Sequence, residues 1–151
     1  MLELTWQNGD NYHQLQKKME KMKELKIKQL SGKRIILTLF QEKDLLNPKY
    51  LEWLHDKKII QYLNIPSYLN KPVSFEEIKY YVENLLNSRN HYFFAIKTIK
   101  ERFIGTFKIG PIDWHAKNAN LGILIGDQDF WGKGIGQEAF FIAIKFCFDE
   151  L

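Results

Sequence analysis

The spacing of hydrophobic residues predicts helices and one strand in the first half of the chain. Over residues 12–30, apolar side chains recur every three or four positions, which predicts an amphipathic helix. These positions are Tyr12, Leu15, Met19, Met22 and Leu25. Ser31 and Gly32 break the pattern, and the apolar run RIILTLF, residues 34–40, then predicts a strand.

Helical spacing returns after this strand. Residues 42–56 predict a helix in two short pieces, because Pro48 interrupts the run. Residues 64–74, which contain two prolines, are a predicted loop. A further helix is predicted from Ser74, which can act as its N-cap with Glu77 as the partner residue of a capping box.

After residue 90 the hydrophobic spacing becomes that of strands. Residues 91–99 and 102–110 are strand-like runs separated by two charged residues, which predicts a hairpin. Residues 111–120 are a predicted turn region, and residues 121–126, LGILIG, predict a third and central strand because they are apolar throughout. A last helix is predicted to run to Leu151. This order predicts an α+β fold in which a mixed, mainly antiparallel sheet is flanked by helices.

Length and composition indicate a globular chain. The 151 residues are 45% hydrophobic and 15% aromatic, which is enough for a sizeable core. We divide them into a basic N-terminal helix, residues 1–32, and a main domain, residues 33–151. We find no apolar run of membrane-spanning length and no signal-peptide pattern, so we expect a cytoplasmic protein with no membrane partner. The single cysteine, Cys147, is interpreted as a buried structural thiol of a reducing compartment.

Positive charge is concentrated near the N-terminus. The formal net charge is +4, and residues 1–33 hold seven lysines against four acidic residues. The helix predicted here either packs on the domain with its lysines in solvent, or binds an acidic partner, ribosomal RNA or a second subunit. Nucleic acid is the less favoured partner, because aromatic residues do not alternate with these lysines as in single-strand-binding grooves.

Three glycines at alternate positions precede the last helix, in the segment FWGKGIGQEAFF, residues 130–141. Their entropic cost predicts a sharp turn, a close packing contact or a phosphate site. A nucleotide P-loop is excluded, because five residues instead of four separate Gly126 from Gly132 and because Gly134 occupies the magnesium-binding Ser/Thr position. A dinucleotide-binding fold is excluded, because no strand with a ribose-binding acid follows the helix in this sequence.

A pyrophosphate site remains, since backbone N–H groups of a glycine turn at the positive end of a helix dipole bind such a group without a metal. Here residues 131–136, WGKGIG, resemble the acetyl-CoA signature Q/R-x-x-G-x-G/A of the GNAT superfamily of N-acetyltransferases. Gly134 and Gly136 match it, whereas Trp131 replaces Gln or Arg. The order of segments across residues 34–151 is similar to the branch that acetylates ribosomal-protein N-termini and amino sugars.

The resemblance implies acetyl-CoA as cosubstrate. It assigns the pantetheine arm to the backbone of the third strand, through Leu121, Ile123, Leu124 and Ile125. It assigns the pyrophosphate to the turn, through Trp131, Gly132, Lys133, Gly134, Ile135, Gly136 and Gln137, with no metal. The alternative explanation for the three glycines is that the last helix packs tightly against the preceding strand without binding a ligand.

Catalytic and acceptor residues follow from the same resemblance. In this superfamily a deprotonated amine attacks the thioester directly, so no enzyme nucleophile is required. Asp113 and His115 in the predicted turn are the candidates for a base acting through water, and their alternative is ordinary turn structure. Asn120 stands where branch members often have glutamate. Trp53, Tyr62 and Tyr68 either line an acceptor pocket or pack in the core.

Members of the superfamily continue beyond the last helix with further sheet elements. The resemblance therefore implies a fold without its C-terminal part, and we expect a homo-oligomer in which a second subunit completes the sheet. The leading hypothesis is an N-acetyltransferase acting on a primary amine of a small molecule or peptide, either a protein N-terminus or an amino sugar. The alternative is a catalytically inactive CoA-binding or assembly module.

Overall fold

One six-stranded antiparallel sheet runs through the fold. The structure is a computed structural model that describes residues 2–5, 29–63 and 65–151. The strands are β1 (Leu2–Thr5), β2 (Gln29–Ser31), β3 (Ile35–Leu39), β4 (Tyr92–Thr98), β5 (Phe103–Asp113) and β6 (Asn118–Ile125). Their order across the sheet is β1-β6-β5-β4-β3-β2, so β1 and β2 are the two edges.

Helices cover both faces of this sheet. They are α1 (Glu42–Leu45), α2 (Pro48–His55), α3 (Lys57–Ile60), α4 (Pro66–Asn70), α5 (Phe75–Asn87) and α6 (Ile135–Glu150). A 3-10 turn, Gln128–Phe130, joins β6 to the glycine turn before α6. Within the described residues, no helix combines the length and apolarity needed to cross a bilayer.

Successive side chains along each strand point to opposite faces of the sheet, so the buried side chains form two cores, one on each face. The core under α6 includes Leu37, Phe94, Phe107, Ile109, Leu121, Ala143, Phe146 and Cys147. The core under the shorter helices includes Phe40, Trp53, Ile59, Val82, Phe93, Phe103 and Leu124. Because β6 contributes side chains to both cores, its backbone is fixed in position beside the glycine turn.

Local sequence signals account for several elements as predicted. The strand predicted over 34–40 is confirmed as β3, and the hairpin after residue 90 is confirmed as β4 and β5. The Ser74 hydroxyl oxygen accepts a hydrogen bond from the Glu77 backbone N–H (3.1 Å), which caps α5. The Glu77 carboxylate accepts from the Ser74 hydroxyl (3.2 Å) and not from the Ser74 backbone N–H, so the N-cap is confirmed without the reciprocal bond of the predicted capping box.

Two predicted boundaries are wrong. The turn region predicted over 111–120 is mostly strand, because β5 extends to Asp113 and β6 begins at Asn118. The polar residues there pair across the hairpin beyond a register shift between Ile109 and Ile112, so their polarity does not mark a loop. The loop predicted over 64–74 contains α4, whose first residue is a proline, a residue favoured at that helical position.

The N-terminal region adds strands that the sequence pattern did not reveal. β1 pairs antiparallel with β6, with Leu2 opposite Leu121 and Thr5 opposite Asn118. β2 pairs with β3, so Gln29 and Leu30 belong to a strand and not to the helix predicted over 12–30. The rest of that predicted basic helix, residues 12–28, lies outside the described residues.

Candidate functional site

The glycine turn is open on the side where side chains would project. Gly132 and Gly134 have φ angles of 71° and 77°, a left-handed conformation that favours glycine. A Cβ on Gly132 would have no described atom within 4 Å, and a Cβ on Gly136 would meet only Ile123 Cδ1, at 4.0 Å. Tight helix-to-strand packing therefore does not explain Gly132 or Gly136.

The first turn of α6 presents unsatisfied donors to this space. Gly134 is the N-cap residue and no side chain caps the helix. The backbone N–H groups of Ile135, Gly136 and Gln137 have no carbonyl partner within a helix that starts here. These amides and the positive end of the helix dipole form a site suited to an anion.

Arg34 braces the glycine turn from the start of β3. Its Nη1 donates to the Lys133 carbonyl oxygen (2.6 Å), and its Nε lies 3.7 Å from Glu138 Oε2. Glu138 Oε1 accepts the backbone N–H groups of Lys33 and Arg34, both at 3.1 Å. The turn is therefore held by a distant part of the chain. The guanidinium and the Lys133 side chain place two positive charges beside it, against the one negative charge of Glu138.

No described strand pairs with the outer edge of β6 over its second half. Gly126 donates its N–H to the Ile104 carbonyl, so the antiparallel pattern turns the backbone groups of Ile123 and Ile125 away from β5. β1 pairs with β6 only from Asn118 to Leu121. The Trp131 indole N–H donates to the Ile125 carbonyl (2.8 Å), which joins the turn to the strand. Among described residues, the Ile123 backbone and the Ile125 N–H have no partner there.

An apolar pocket of about 310 Å³ adjoins this edge. It brings together residues predicted for the cosubstrate and one predicted for the acceptor. Its lining consists of Ile59, Tyr62, Leu63, Ile123, Leu124, Ile125 and Trp131. Tyr62 is 78% exposed, so its position in the pocket wall is not a consequence of core packing.

The predicted strand contacts need two corrections, at Leu121 and at Leu124. The outward backbone edge of Leu121 is occupied by Leu2 of β1, so Leu121 does not face the open edge. The backbone groups of Leu124 point to β5, and only its side chain reaches the pocket. Ile123 and Ile125 remain as the strand residues with outward backbone groups at the open edge.

Trp53 and Tyr68 belong mainly to the core of the shorter helices. Trp53 is 6% exposed, and its ring lies 5.0 Å from that of Phe103. A Cβ on Gly126 would lie 1.9 Å from the indole, which explains the glycine at that position. Tyr68 is half-buried, and burial, followed by Tyr81 and Glu77, raises its pKa.

Asp113 and His115 have the geometry of turn residues. Asp113 Oδ1 accepts the backbone N–H groups of His115 (3.0 Å) and Ala116 (2.8 Å), which closes the β5–β6 turn. β6 has eight residues, so at about 3.3 Å per residue this turn lies roughly 23 Å from the glycine turn. The two candidate bases therefore lie at the end of β6 that is far from the glycine turn.

Two nearer titratable groups were missed because they lie within strand-like sequence. Lys108, on β5, is half-buried opposite Gly122 of β6, and burial lowers its pKa. Burial and the neighbouring Lys108 lower the pKa of His91. Alternation places Asn120 on the same face of the sheet as Gly122, so Asn120 is part of this region. The sequence feature that could have indicated this region is Lys108, a single lysine within the largely apolar run of residues 103–110.

The buried thiol has no access to this site. Cys147 is fully buried under the sheet, in the core formed with α6. Burial raises its pKa to about 12, so it remains a neutral thiol near neutral pH. The structure agrees with its interpretation as a structural cysteine.

The sequence profile of the Acetyltransferase (GNAT) domain matches residues 34–151. The chain belongs to this GNAT acetyltransferase family. GNAT acetyltransferases use acetyl-CoA as cosubstrate. No protein of curated function matches the sequence.

Solved structures with the same fold include several acetyltransferases. A spermidine N-acetyltransferase from Vibrio cholerae, in complex with CoA and spermine, superposes with a TM-score of 0.63 at 18% identity, over 76% of this chain and 63% of that chain. A domain from Methanocaldococcus jannaschii has a TM-score of 0.60 at 22% identity, over 76% and 70%. A Vibrio cholerae protein described as a ribosomal-protein-serine acetyltransferase gives 0.56 at 21%, over 80% and 67%. The match thus spans less than two thirds of the first of these chains.

Proposed function

We propose that this chain binds acetyl-CoA and transfers its acetyl group directly to a primary amine. The main support for this proposal is that the open glycine turn, the open edge of β6 and the apolar pocket are continuous. Trp131 links all three, because it follows the 3-10 turn, bonds to Ile125 and lines the pocket. These three surfaces suit a ligand with a pyrophosphate and an extended arm. The pyrophosphate would bind at the glycine turn, the amides of the arm would pair with the β6 edge, and its apolar groups would contact the pocket.

The residues of the site fit acetyl-CoA by their chemistry. The α6 amides from Ile135 to Gln137 would hold the pyrophosphate, with Lys133 and Arg34 contributing positive charge. The backbone of Ile123 would pair with the amides of the pantetheine arm, as in strand addition. Bound in this way, acetyl-CoA supplies a thioester-activated acetyl group.

Direct transfer of the acetyl group from the thioester to the amine is consistent with the side chains at this site. Cys147 is a buried neutral thiol, so the proposal uses no cysteine nucleophile. The attacking amine must be uncharged, because an ammonium has no lone pair. The apolar side chains that line the pocket, such as Ile59 and Leu63, would contact the reacting end of the arm.

The acceptor is a small-molecule or peptide amine. Within that class, a protein N-terminus or an amino sugar is the finer proposal, based on the resemblance of the WGKGIGQEA segment. We further propose that the predicted basic N-terminal helix and a second subunit contribute to the complete site, since the described part of the chain covers only half of the β6 edge.

Calorimetric titration of the chain with acetyl-CoA, beside a thiol-release assay with a panel of amines, tests the proposal. We expect saturable binding and thiol release that requires an amine. Binding without release would favour a CoA-binding module that does not catalyse transfer. Absence of binding by a folded chain would refute the acetyl-CoA site.

A further inference from the structure

Lys108 lies across the strand that carries the proposed cosubstrate edge. It is opposite Gly122 in the β5–β6 register. A Cβ on Gly122 would lie 4.0 Å from the Lys108 Cε and would meet no other described atom within that distance. The absence of a side chain at Gly122 therefore leaves room for the lysine above β6.

The Lys108 ammonium has no counter-ion among the described residues. Its Nζ lies 6.0 Å from the centroid of the Tyr81 ring, and no described carboxylate is within salt-bridge distance. The other lysine buried in this sheet, Lys97, is paired with Asp44 at 3.1 Å. A half-buried cation costs free energy unless it is paired, so the surroundings of Lys108 favour an anion from outside the described residues.

A second basic group lies near Lys108. His91 is half-buried, its Nδ1 is 2.7 Å from the Ser88 hydroxyl, and Lys108 contributes to lowering its pKa. Burial lowers the pKa of Lys108 without an opposing contribution from an acid. Glu77 on α5 forms its side-chain hydrogen bond with Ser74. That bond leaves the Glu77 carboxylate charged, and a lowered pKa favours neutral His91, so the cation that an acceptor carboxylate would meet here is Lys108 itself.

The position of Lys108 relates it to the acceptor, on the basis of the proposed function. An arm bound from the glycine turn along Ile125 and Ile123 would have its reacting end beside Gly122. Lys108 shares with Leu124, a lining residue of the pocket, the sheet face under the shorter helices. The ammonium would then lie next to the amine that receives the acetyl group.

We propose that Lys108 determines acceptor specificity by binding a carboxylate of the acceptor, so that the favoured substrates are amines that also carry a carboxylate. Polyamines carry only ammonium groups, and Lys108 would repel them. The Vibrio cholerae neighbour is described in complex with CoA and spermine. The acceptor class of this chain therefore differs from that of its spermidine-acetylating neighbour.

Two amines of similar length test this proposal. In 4-aminobutanoate a carboxylate occupies the end that carries the second ammonium in 1,4-diaminobutane. Binding of each is measured by calorimetry with and without saturating CoA, and turnover by thiol release with acetyl-CoA. We expect wild type to prefer 4-aminobutanoate by at least about tenfold in Kd and in kcat/KM.

Three variants distinguish an effect of the charge at residue 108 from an effect of the protein's net charge. Lys108→Met should remove the preference, and Lys108→Glu should reverse it. Lys100→Glu, in the exposed β4–β5 turn, makes the same charge change elsewhere and should leave the preference unchanged. Because Lys108→Met buries no new charge, it serves as the test if Lys108→Glu does not fold.

The failure of this inference is distinguishable from failure of the proposed function. Equal or tighter binding of 1,4-diaminobutane by wild type, or no binding of either amine, would overturn the role of Lys108 even if acetyl-CoA binds and other amines are acetylated. An unchanged preference in Lys108→Met would overturn it as well. Lack of acetyl-CoA binding would instead refute the proposed function, while the amine titrations would still report the preference.

Discussion

Arg34 and Lys133 are 99 residues apart in sequence, and the Arg34 guanidinium donates a 2.6 Å hydrogen bond to the Lys133 carbonyl oxygen. This bond fixes the backbone of the glycine turn at the residue between Gly132 and Gly134. The Arg34 side chain is half-exposed, and a Cβ on Gly134 would lie 3.4 Å from its Nη2. Arg34 is therefore placed both to order the turn and to attract an anion.

Replacement of Arg34 by methionine should weaken acetyl-CoA binding by about three- to tenfold, because one charge-assisted hydrogen bond and one positive charge are lost. Stability should change little, since the side chain is about half in solvent. Calorimetry and thermal unfolding measure the two effects. Arg89→Met, at an exposed position with no described ion pair, is the matched control. Equal effects of both variants on affinity would contradict a role for Arg34.

Gly136→Val should reduce acetyl-CoA affinity at least about tenfold while the protein stays folded. The new side chain would project into open space beside the first amides of α6, and valine is no worse than glycine in a helix. Gly134 is a poorer test position, because its φ of 77° would strain any other residue. Unchanged affinity in a variant with a wild-type melting temperature would disprove the pyrophosphate site.

Gly126→Ala should destabilise the fold by about 1–3 kcal/mol, because the added Cβ would overlap the Trp53 indole. The melting temperature should fall by about 2–4 °C per kcal/mol in a domain of this size. Gly122→Ala on the same strand is the control, since its nearest described neighbour would be a flexible lysine carbon at 4.0 Å. Similar melting temperatures for the two variants would show that Trp53 can move away from Gly126.

Cys147 should react with a thiol reagent at pH 8 only after unfolding, because its pKa is raised to about 12 and the side chain is buried. The protonated thiol stabilises the fold fully below pH 9.0, its ordinary pKa, and this contribution is lost as pH rises towards about 12. Absorbance with and without denaturant measures the reaction. Cys147→Ala should keep acetyl transfer, and fast labelling of the native chain would contradict its burial.

Asp44→Ala should destabilise the protein by about 3–5 kcal/mol, because it leaves Lys97 buried without a partner. Asp44 also accepts the Gln41 N–H at 2.9 Å, so the start of α1 would lose a cap. The double variant with Lys97→Met should recover part of this loss, as measured by urea unfolding. No recovery would show that the cap, and not the ion pair, carries the effect.

Several features were predictable because they depend on neighbours in sequence. Ser74 and Glu77 are three positions apart, so a local rule locates the start of α5. Gly132 and Gly134 adopt the left-handed conformation that glycine favours, and the resemblance of residues 131–136 to the acetyl-CoA signature predicted the family that the profile match confirms. The acetyl-CoA contacts of the turn stay predictions.

Other features were hidden because they join distant parts of the chain. Nothing near Arg34 in the sequence indicates the Lys133 carbonyl, and nothing near Leu2 indicates Leu121. The hairpin turn of Asp113 comes shortly before the third strand in sequence, yet the extended strand carries it to the far end from the glycine turn.

The sequence by itself determined the strands and helices of residues 34–56 and 75–151 in outline and the glycine turn, because hydrophobic period, capping and backbone freedom act over a few residues, and the motif of residues 131–136 indicated the family. The tertiary structure alone decided which groups meet. Strand pairing covers Leu121 and opens Ile123, and β5 places Lys108 above Gly122. These relationships depend on register between strands, which long-range packing sets and local sequence does not.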